Sequence, residues 1–302
     1  MADVSNPTER VLEVLNFLGA HPTEAFTLAE IARNTGLSKA TGHRILATMT
    51  EARFLSRNEK HKTYSLGLAL VALGRATLEK HRGIDFARRE IARLAQELNV
   101  QCSVTAATDD ELLLLAKEGV PQSSDGLHQV GERAPILPTI AIGHIAWQSD
   151  QAIQAYLARP SARMPDALRR HCLAAVPRIR QRGYSIAANG PARIRLRQAL
   201  HAPIGRIRDA EFWASLYEAT LDISEKEMQI LDVVEMDGEN IAYISAPVFS
   251  PDGSVSIELV ITGMPNGLRA HEIERYAERL RAAAAIVTGE VHGRYPDFDP
   301  PA

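Results

Sequence analysis

The sequence predicts an α/β protein of the α+β kind: an N-terminal winged helix-turn-helix, a connecting helix, and a C-terminal sheet domain covered by helices. Three observations predict it. Residues 27 to 49, TLAEIARNTGLSKATGHRILATM, hold two short helical patterns joined by a tight turn at Gly36. Two short strand-like runs, Phe54 to Arg57 and Thr63 to Leu66, follow, on either side of the polar tip NEKHK. Beyond residue 84, amphipathic helices intermix with strand-like hairpin runs, the pattern of a sheet with helices packed on it.

The first helix begins near Pro7 or Thr8. Its stripe is Val11, Val14, Leu15 and Leu18, and Gly19 ends it. Thr27 with Glu30 reads as a capping box, so the second helix starts at about Leu28, with Leu28, Ile31 and Ala32 at helical spacing. Gly36 takes positive φ cheaply, as a sharp turn between helices requires. Ser38 caps the third helix, whose apolar side is Ile45, Leu46 and Met49. Gly42 inside this helix costs about 1 kcal/mol against Ala unless close packing uses its missing side chain.

The polar side of that third helix shows Lys39, Thr41, His43 and Arg44. A helix-turn-helix lays such a face into the major groove, so Ser38, Lys39, Thr41, His43 and Arg44 are the expected base-reading group. Arg57, Lys60 and Lys62, on the hairpin, are expected to meet phosphate. Residues 33 to 62 hold seven Lys or Arg against Glu51 and Glu59, in a chain whose formal net charge is −3. A positive head on an acidic body suits double-stranded DNA bound by the head alone.

Residues 1–67 form this head and residues 68–83 a connecting helix, LALVALGRATLEKHR at its centre. Its Leu70, Val71, Leu73 and Leu78 are more apolar than a free linker needs, which points to packing on its own head or, the favoured expectation, a homodimer seam. The second domain is expected over residues 84–295. Ile84, Ala87, Ile91, Leu94 and Leu98 give an amphipathic helix; QCSVTAA and LLLLAKE, joined by TDDE, give a hairpin. The loop GERAPILPT runs into a helix at about 139 to 147, and helical segments continue to Arg182. RGYSIA is a short strand. NIAYISAPVFS and SVSIELVIT are two strands joined by the turn PDG, and a helix at about 270 to 290 closes the domain.

Composition excludes several classes. Two cysteines, Cys102 and Cys172, make no disulfide framework and suit a reducing, cytoplasmic setting. No apolar run is long enough for a membrane span, and MADVSNPTER lacks the basic region and apolar core of a signal peptide. No GxSxG, HExxH, paired CxxC or phosphate-binding glycine loop is present, and the histidines show no metal spacing, so no catalytic residue, metal or cofactor is expected. His171 and Cys172 are adjacent on a helix and point about 100° apart, so they cannot pair with each other. Asp109, Asp110 and Glu111 sit in a turn, where acids are common. Arg193, Arg195, Arg197, Arg206 and Arg208 form either a solvated helix face or, in the sharper reading, a clamp for carboxylates or a subunit contact. Two function classes follow: a DNA-binding regulator controlled by a small molecule, or a metabolite-binding or enzymatic domain with an appended nucleic-acid anchor.

LAEIA, GLSKATGHRILATM, FLSR…YSLG, HQVGERAPILPT followed by AIGHIAW, IRQRGYSIA and YISAPVFSPDG together resemble the IclR family of bacterial transcription regulators. The resemblance spans most of the chain. It implies a winged-helix head, a GAF-like effector-binding domain, assembly as dimers or dimers of dimers (a homotetramer), and action as repressor or activator. By the same resemblance the effector pocket is walled by Leu137, Ala141 and Gly143 on the loop-helix and by Glu235, Tyr243, Val260 and Thr262 opposite, with Ala141 and Gly143 offering backbone N–H groups to an anion. Departures are visible. Residues 188–240 read as an insertion. Tyr243, Val260 and Thr262 stand where some members place a cysteine and serines, Leu137-Pro138-Thr139 replaces a histidine-bearing segment, and Gly143-His144 stands for Gly-Lys. An apolar, bulky lining of this kind implies an organic or aromatic acid larger than the smallest carboxylates.

Overall fold

The structure is a computed structural model and describes residues 7–19, 21, 23–108, 111–120, 130–159, 164–200, 210–236 and 238–296. The described residues fall into two compact units, one running to His81 and the other from Arg82 onward.

In the first unit, α1 (Pro7–Gly19), α2 (Leu28–Thr35) and α3 (Lys39–Glu51) enclose a core of Val14, Phe17, Leu18, Ile31, Leu46 and Met49. The capping box is formed: the Glu30 carboxylate accepts from the Thr27 N–H at 2.8 Å, and the Thr27 hydroxyl accepts from the Glu30 N–H. Gly36 ends α2 at φ 68°, and Ser38 caps α3 by accepting from the Thr41 N–H at 3.2 Å. Gly42 is buried where α3 crosses α2, and a Cβ there would stand 2.9 Å from a Leu28 methyl. The missing side chain is thus used for close helix approach, which offsets its cost in propensity.

The wing consists of β1 (Phe26–Thr27), β2 (Leu55–Asn58) and β3 (Thr63–Leu66), in the order β1-β3-β2. β1 was not expected; two residues carry no alternation from which to read a strand. β2 starts one residue later than expected, because Phe54 still belongs to the turn that leaves α3 and its N–H donates to the Met49 carbonyl. α4 (Ala69–Lys80) follows, and none of its residues is buried within the chain.

In the second unit six strands form one sheet in the order β6-β5-β4-β9-β8-β7, every neighbour antiparallel. These are β4 (Gln101–Thr108), β5 (Glu111–Glu118), β6 (Arg133–Pro135), β7 (Ser185–Ala188), β8 (Ile241–Phe249) and β9 (Val255–Thr262). β6 lies within the stretch expected to be loop; its three residues extend the sheet edge along β5. One face is covered by α5 (Arg82–Leu98) and α12 (Ala270–Glu290), with Ile91, Leu94, Ile273, Leu280 and Val287 packed on Cys102, Val104, Ile244, Leu259 and Ile261.

The other face meets a helical layer: α6 (Pro138–Ile145), α7 (Asp150–Leu157), α8 (Asp166–Arg182), α9 (Pro191–Leu200), α10 (Ala210–Leu221) and the short α11 (Glu225–Met228). Leu137, Ala141, Ile145, Leu157, Cys172, Ile179, Leu196 and Met228 form its apolar core. Strand alternation places Glu258, Val260 and Thr262 together on this face. Register sets Thr262 beside Tyr243, Val260 beside Ser245, and Ser245 beside Ser185. Among the described residues no helix is long and apolar enough to cross a membrane, and no group of His, Cys, Asp or Glu could hold a metal ion.

Candidate nucleic-acid interface and buried polar cluster

On α3, Lys39, His43 and Arg44 are exposed along one stripe, continued by Thr48 one turn on, which the sequence reading left out. Ser38 and Thr41 are less available than expected. The Ser38 hydroxyl donates to the Thr41 hydroxyl at 3.0 Å while capping the helix, and Thr41 is half-buried. At the wing tip, the Asn58 side chain accepts from the Lys60 and His61 N–H groups, turning the chain so that Lys60 and Lys62 project into solvent. Arg57 is held along the wing, 3.4 Å from Glu59 and over the Tyr64 ring at 5.7 Å. A cationic stripe on a helix beside a cationic hairpin tip is the shape that meets a groove and its flanking phosphates.

The second site lies between α6 and the sheet. Helical spacing turns Leu137 and Ala141 into the apolar layer, away from the sheet, so of the three expected α6 positions only Gly143 faces the strands. The expected anion seat changes accordingly. The Ala141 N–H is already donated to the Leu137 carbonyl at 2.9 Å, and Gly143 stands in the last turns of α6, where N–H groups are spent within the helix. Thr139 and His144, next to the expected positions, come with Gly143 to the sheet side. The Thr139 hydroxyl and His144 Nδ1 are buried with no hydrogen-bond partner.

A Cβ on Gly143 would stand 2.5 Å from Glu258 Oε1 and 2.7 Å from the Ser185 and Ser245 hydroxyls. Only glycine lets these three groups reach the helix. They are linked: the Ser185 and Ser245 hydroxyls are 2.8 Å apart, and Ser245 donates to Glu258 Oε1 at 3.1 Å. Glu258 is 3 % exposed, and this burial pushes its carboxyl up to about 7, against the small opposing effect of the Ser245 hydrogen bond. His144 Nδ1 is 3.9 Å from Glu258 Oε2, too long for a hydrogen bond, and burial pushes the ring down to about 4, so it stays neutral.

Tyr243 stands on the same face. Its hydroxyl is buried without a partner, and burial raises its pKa while the Arg193 guanidinium opposes the rise. Arg193 sits 5.1 Å over the Tyr243 ring and donates to the carbonyls of Thr139 and Glu227. It therefore clamps backbone, not the carboxylates that one sequence reading allowed. Arg195 pairs with Asp222 at 2.8 Å on the surface, Arg197 is half-buried, and Arg206 and Arg208 lie outside the described residues, as does the side chain of Glu235. Val260 is half-buried and Thr262 buried beside Tyr243. Ser185, Ser245 and Glu258 were missed. Glu258 was findable, since an acid two residues before Val260 on one strand must share its face.

The catalytic candidates come apart. His171 Nε2 bonds the Gln229 carbonyl at 2.7 Å, and Cys172 is buried with its thiol pushed up to about 12, outside the range of a reactive thiolate. Glu111 opens β5 and pairs with Arg133 at 3.2 Å, while Asp109 and Asp110 lie outside the described residues.

A winged helix with a cationic reading face, in one chain with an antiparallel sheet layered between helices, defines a DNA-binding transcription regulator of the helix-turn-helix class. Residues 7–59 match the family model of the IclR helix-turn-helix domain. The transcriptional regulator XynR of Escherichia coli is similar at 21 % identity over 282 residues, 93 % of this chain and 94 % of its own. KdgR of the same organism is 28 % identical over 153 residues, 49 % of this chain and 57 % of its own. Residues 7–59 thus carry an IclR-type helix-turn-helix domain, in a chain similar to transcriptional regulators of that type. Its fold is shared with the IclR regulator of Alicyclobacillus acidocaldarius, TM-score 0.63 at 18 % identity, over 94 % of this chain and 98 % of that one. It is shared equally with an IclR homolog of Microbacterium hydrocarbonoxydans solved in complex with 4-hydroxybenzoate, TM-score 0.63 at 20 % identity, over 95 % and 99 %.

Proposed function

We propose that this regulator binds an operator through α3 and the wing and that a small organic acid, aromatic in the favoured case, controls the binding from the buried polar cluster between α6 and the sheet. Lys39, His43 and Arg44 read base edges, with Ser38 and Thr41 supporting the helix start; Arg57, Lys60 and Lys62 hold phosphate. The observation that carries the reading is the exposed cationic stripe of α3 beside the cationic wing tip.

The effector half rests on the buried polar atoms left without partners at Thr139, His144 and Tyr243, since folded proteins leave few such groups unmatched. An aromatic acid is supported by the aromatic and apolar lining at Tyr243 and Val260, and by the 4-hydroxybenzoate held by the Microbacterium relative. Residues 1–67 act as the DNA-binding domain, 68–83 as the connector and 84–295 as the effector domain, with 188–240 inserted. The exposed Leu68, Val71 and Leu73 of the connector, 84, 66 and 52 % accessible, form the seam of a homodimer that presents two heads to successive major grooves in the cytoplasm. Ligand control requires different effector affinity in the DNA-competent and incompetent arrangements.

The test is a gel-shift titration on the DNA upstream of the regulator's own gene, with and without aromatic and aliphatic acids. Arg44→Ala is expected to lower specific affinity by roughly 1–3 kcal/mol. Tyr243→Ala and Thr262→Ala are expected to blunt the response to acid while leaving acid-free binding intact. Wild-type operator affinity in Arg44→Ala overturns the reading of α3.

A further inference from the structure

A cleft in the second unit lies apart from the polar cluster, and no member of that cluster lines it. It holds about 1260 Å³ and opens between α8 and α12, beside the outer edge of β8. Strand register makes the room. β7 starts at Ser185, opposite Ser245, so β8 runs on from Ala246 to Phe249 with no strand on that side. The bare edge does not invite a peptide strand. Pro247 has no N–H, and the Phe249 N–H is donated to the Thr288 hydroxyl at 3.2 Å. Whatever fills the cleft has to be recognised by side chains.

The two ends of the cleft differ. Gly183 and Tyr184 precede Ser185, so they come to the Ala246 end. There the Arg281 side chain of α12 lies over Gly183: a Cβ on that glycine would stand 3.3 Å from Arg281 Nε. Arg281 is exposed and makes no hydrogen bond or ion pair among the described residues. Arg182 lines the cleft too, its charge held in place by donation to the carbonyls of Tyr184 and Ile230. At the Phe249 end, Trp147 and Tyr295 each stand with ring centroids 5.1 Å from that of Phe249. The strand sets these ends about 10 Å apart. Much of the remaining lining is apolar: Leu173, Val176, Pro177, Pro247, Ala282 and Ala285. Two acids stand at the cleft. Asp150 is paired with Arg180 at 3.1 Å, and Glu278, one turn before Arg281, has no ion-pair partner among the described residues.

We propose that this cleft binds an elongated amphipathic carboxylate, a fatty acid of medium length, with its head on Arg281 and its tail against Trp147, Phe249 and Tyr295. A carboxylate gives Arg281 a charge-assisted partner, which a neutral amphiphile does not. A short acid reaches one end only. The volume is above the roughly 300–1,000 Å³ of ordinary ligand sites, ample for such a chain. The proposal stands on the cleft alone and does not rest on the polar cluster being an effector site.

The test is calorimetry on the full chain with three probes: octanoate, butyrate, which is too short to span the cleft, and octanamide, which keeps the tail and loses the charge. In the wild type octanoate is expected to bind about tenfold or more tighter than either. Arg281→Gln is expected to bring octanoate down to the level of octanamide. Glu278→Gln removes the opposing charge and is expected to tighten octanoate by about two- to threefold while leaving octanamide as it was. Ala285 is exposed and tolerates a larger side chain, so Ala285→Phe is expected to fill the cleft and abolish binding of both long probes. Each variant is checked for a native far-ultraviolet spectrum. Octanoate and octanamide bound alike by the wild type, or octanoate bound as before by Arg281→Gln and Ala285→Phe, overturns the proposal. Binding lost in Tyr243→Ala and kept in Ala285→Phe places octanoate in the polar cluster and overturns it as well. So does a wild type that binds no octanoate; if Ala285→Phe then lowers the sedimentation coefficient of the free protein, the cleft seats a second copy of the chain instead.

Discussion

The pairing of a buried carboxyl with a buried neutral histidine makes a stability prediction with a definite sign. Glu258 holds its proton up to about 7, where an unfolded chain releases it near 4.5. Between these values the folded state carries more protons than the unfolded one, so stability falls as pH rises, by roughly 3 kcal/mol over the interval. His144 is held down to about 4 from 6.5. There the unfolded state carries more protons, so stability falls as pH drops through the same range, again by roughly 3 kcal/mol. The two slopes oppose each other and the wild type shows little of either. Glu258→Gln uncovers the histidine slope. Measured by urea unfolding, the variant is expected to gain on the wild type by about 2–3 kcal/mol between pH 5 and pH 8. His144→Gln is expected to gain in the opposite direction, toward pH 5, and the double variant to run parallel to the wild type. The other groups facing this carboxyl, Ser185, Ser245 and Tyr243 with Arg193 and Arg182 behind it, do not titrate in that window and cancel in the comparison. A difference between Glu258→Gln and wild type that stays constant from pH 5 to pH 8 would refute the reasoning, because it would mean the carboxyl carries the same charge in the folded and unfolded states across that range.

Gly42→Ala is expected to change melting little, since helix propensity gains about 1 kcal/mol and the displaced Leu28 methyl takes much of it back; Gly42→Leu should cost roughly 1–3 kcal/mol or more by overpacking the α2–α3 crossing, and a Gly42→Leu protein as stable as wild type contradicts the close approach. Arg193→Met is expected to lower stability by about 3–5 kcal/mol, because the Thr139 and Glu227 carbonyls lose a buried donor; denaturant titration showing no loss removes Arg193 from its structural role. Leu68→Glu with Leu73→Glu is expected to convert the proposed homodimer to monomer in analytical ultracentrifugation and to weaken operator binding without altering the fold; a dimer of wild-type strength places the seam elsewhere.

The winged helix was legible almost residue by residue, because caps, a turn glycine and helical periodicity are local signals that tertiary packing here reinforces. Thr27, Glu30, Gly36 and Ser38 each do in the structure what their chemistry requires. The edge strand β1 was not legible, because two residues have no period, and β6 hid inside a proline-bearing loop. In the second unit the late strands and the closing helix were readable from alternation and spacing. The buried polar cluster was readable only in part. A positional resemblance named Leu137 and Ala141, but the helical turn that starts at Pro138 rotates both away and brings Thr139 and His144 to the sheet. Ser185 and Ser245 meet across strands β7 and β8, sixty residues apart. No periodicity within either strand records such a meeting, which exists only once register is set.

Glu227 ties the segment from 189 to 240 into the molecule from both sides. Its carboxylate caps its own short helix at Ser224 and also accepts the backbone N–H groups of Ala192 and Arg193 at the start of α9. Its carbonyl takes the Arg193 guanidinium, which reaches on to Thr139 of α6. The consequence is for recombination. A chimaera that exchanged this segment with that of a relative would carry Glu227 and the start of α9 together, and of these contacts only the one from residue 193 to the Thr139 carbonyl would have to be remade across the junction. Drift at Glu227 strips the α9 start of its carboxylate, and drift at Arg193 strips two carbonyls of their donor, whereas position 139 offers this network only a backbone carbonyl, which leaves its side chain free to change.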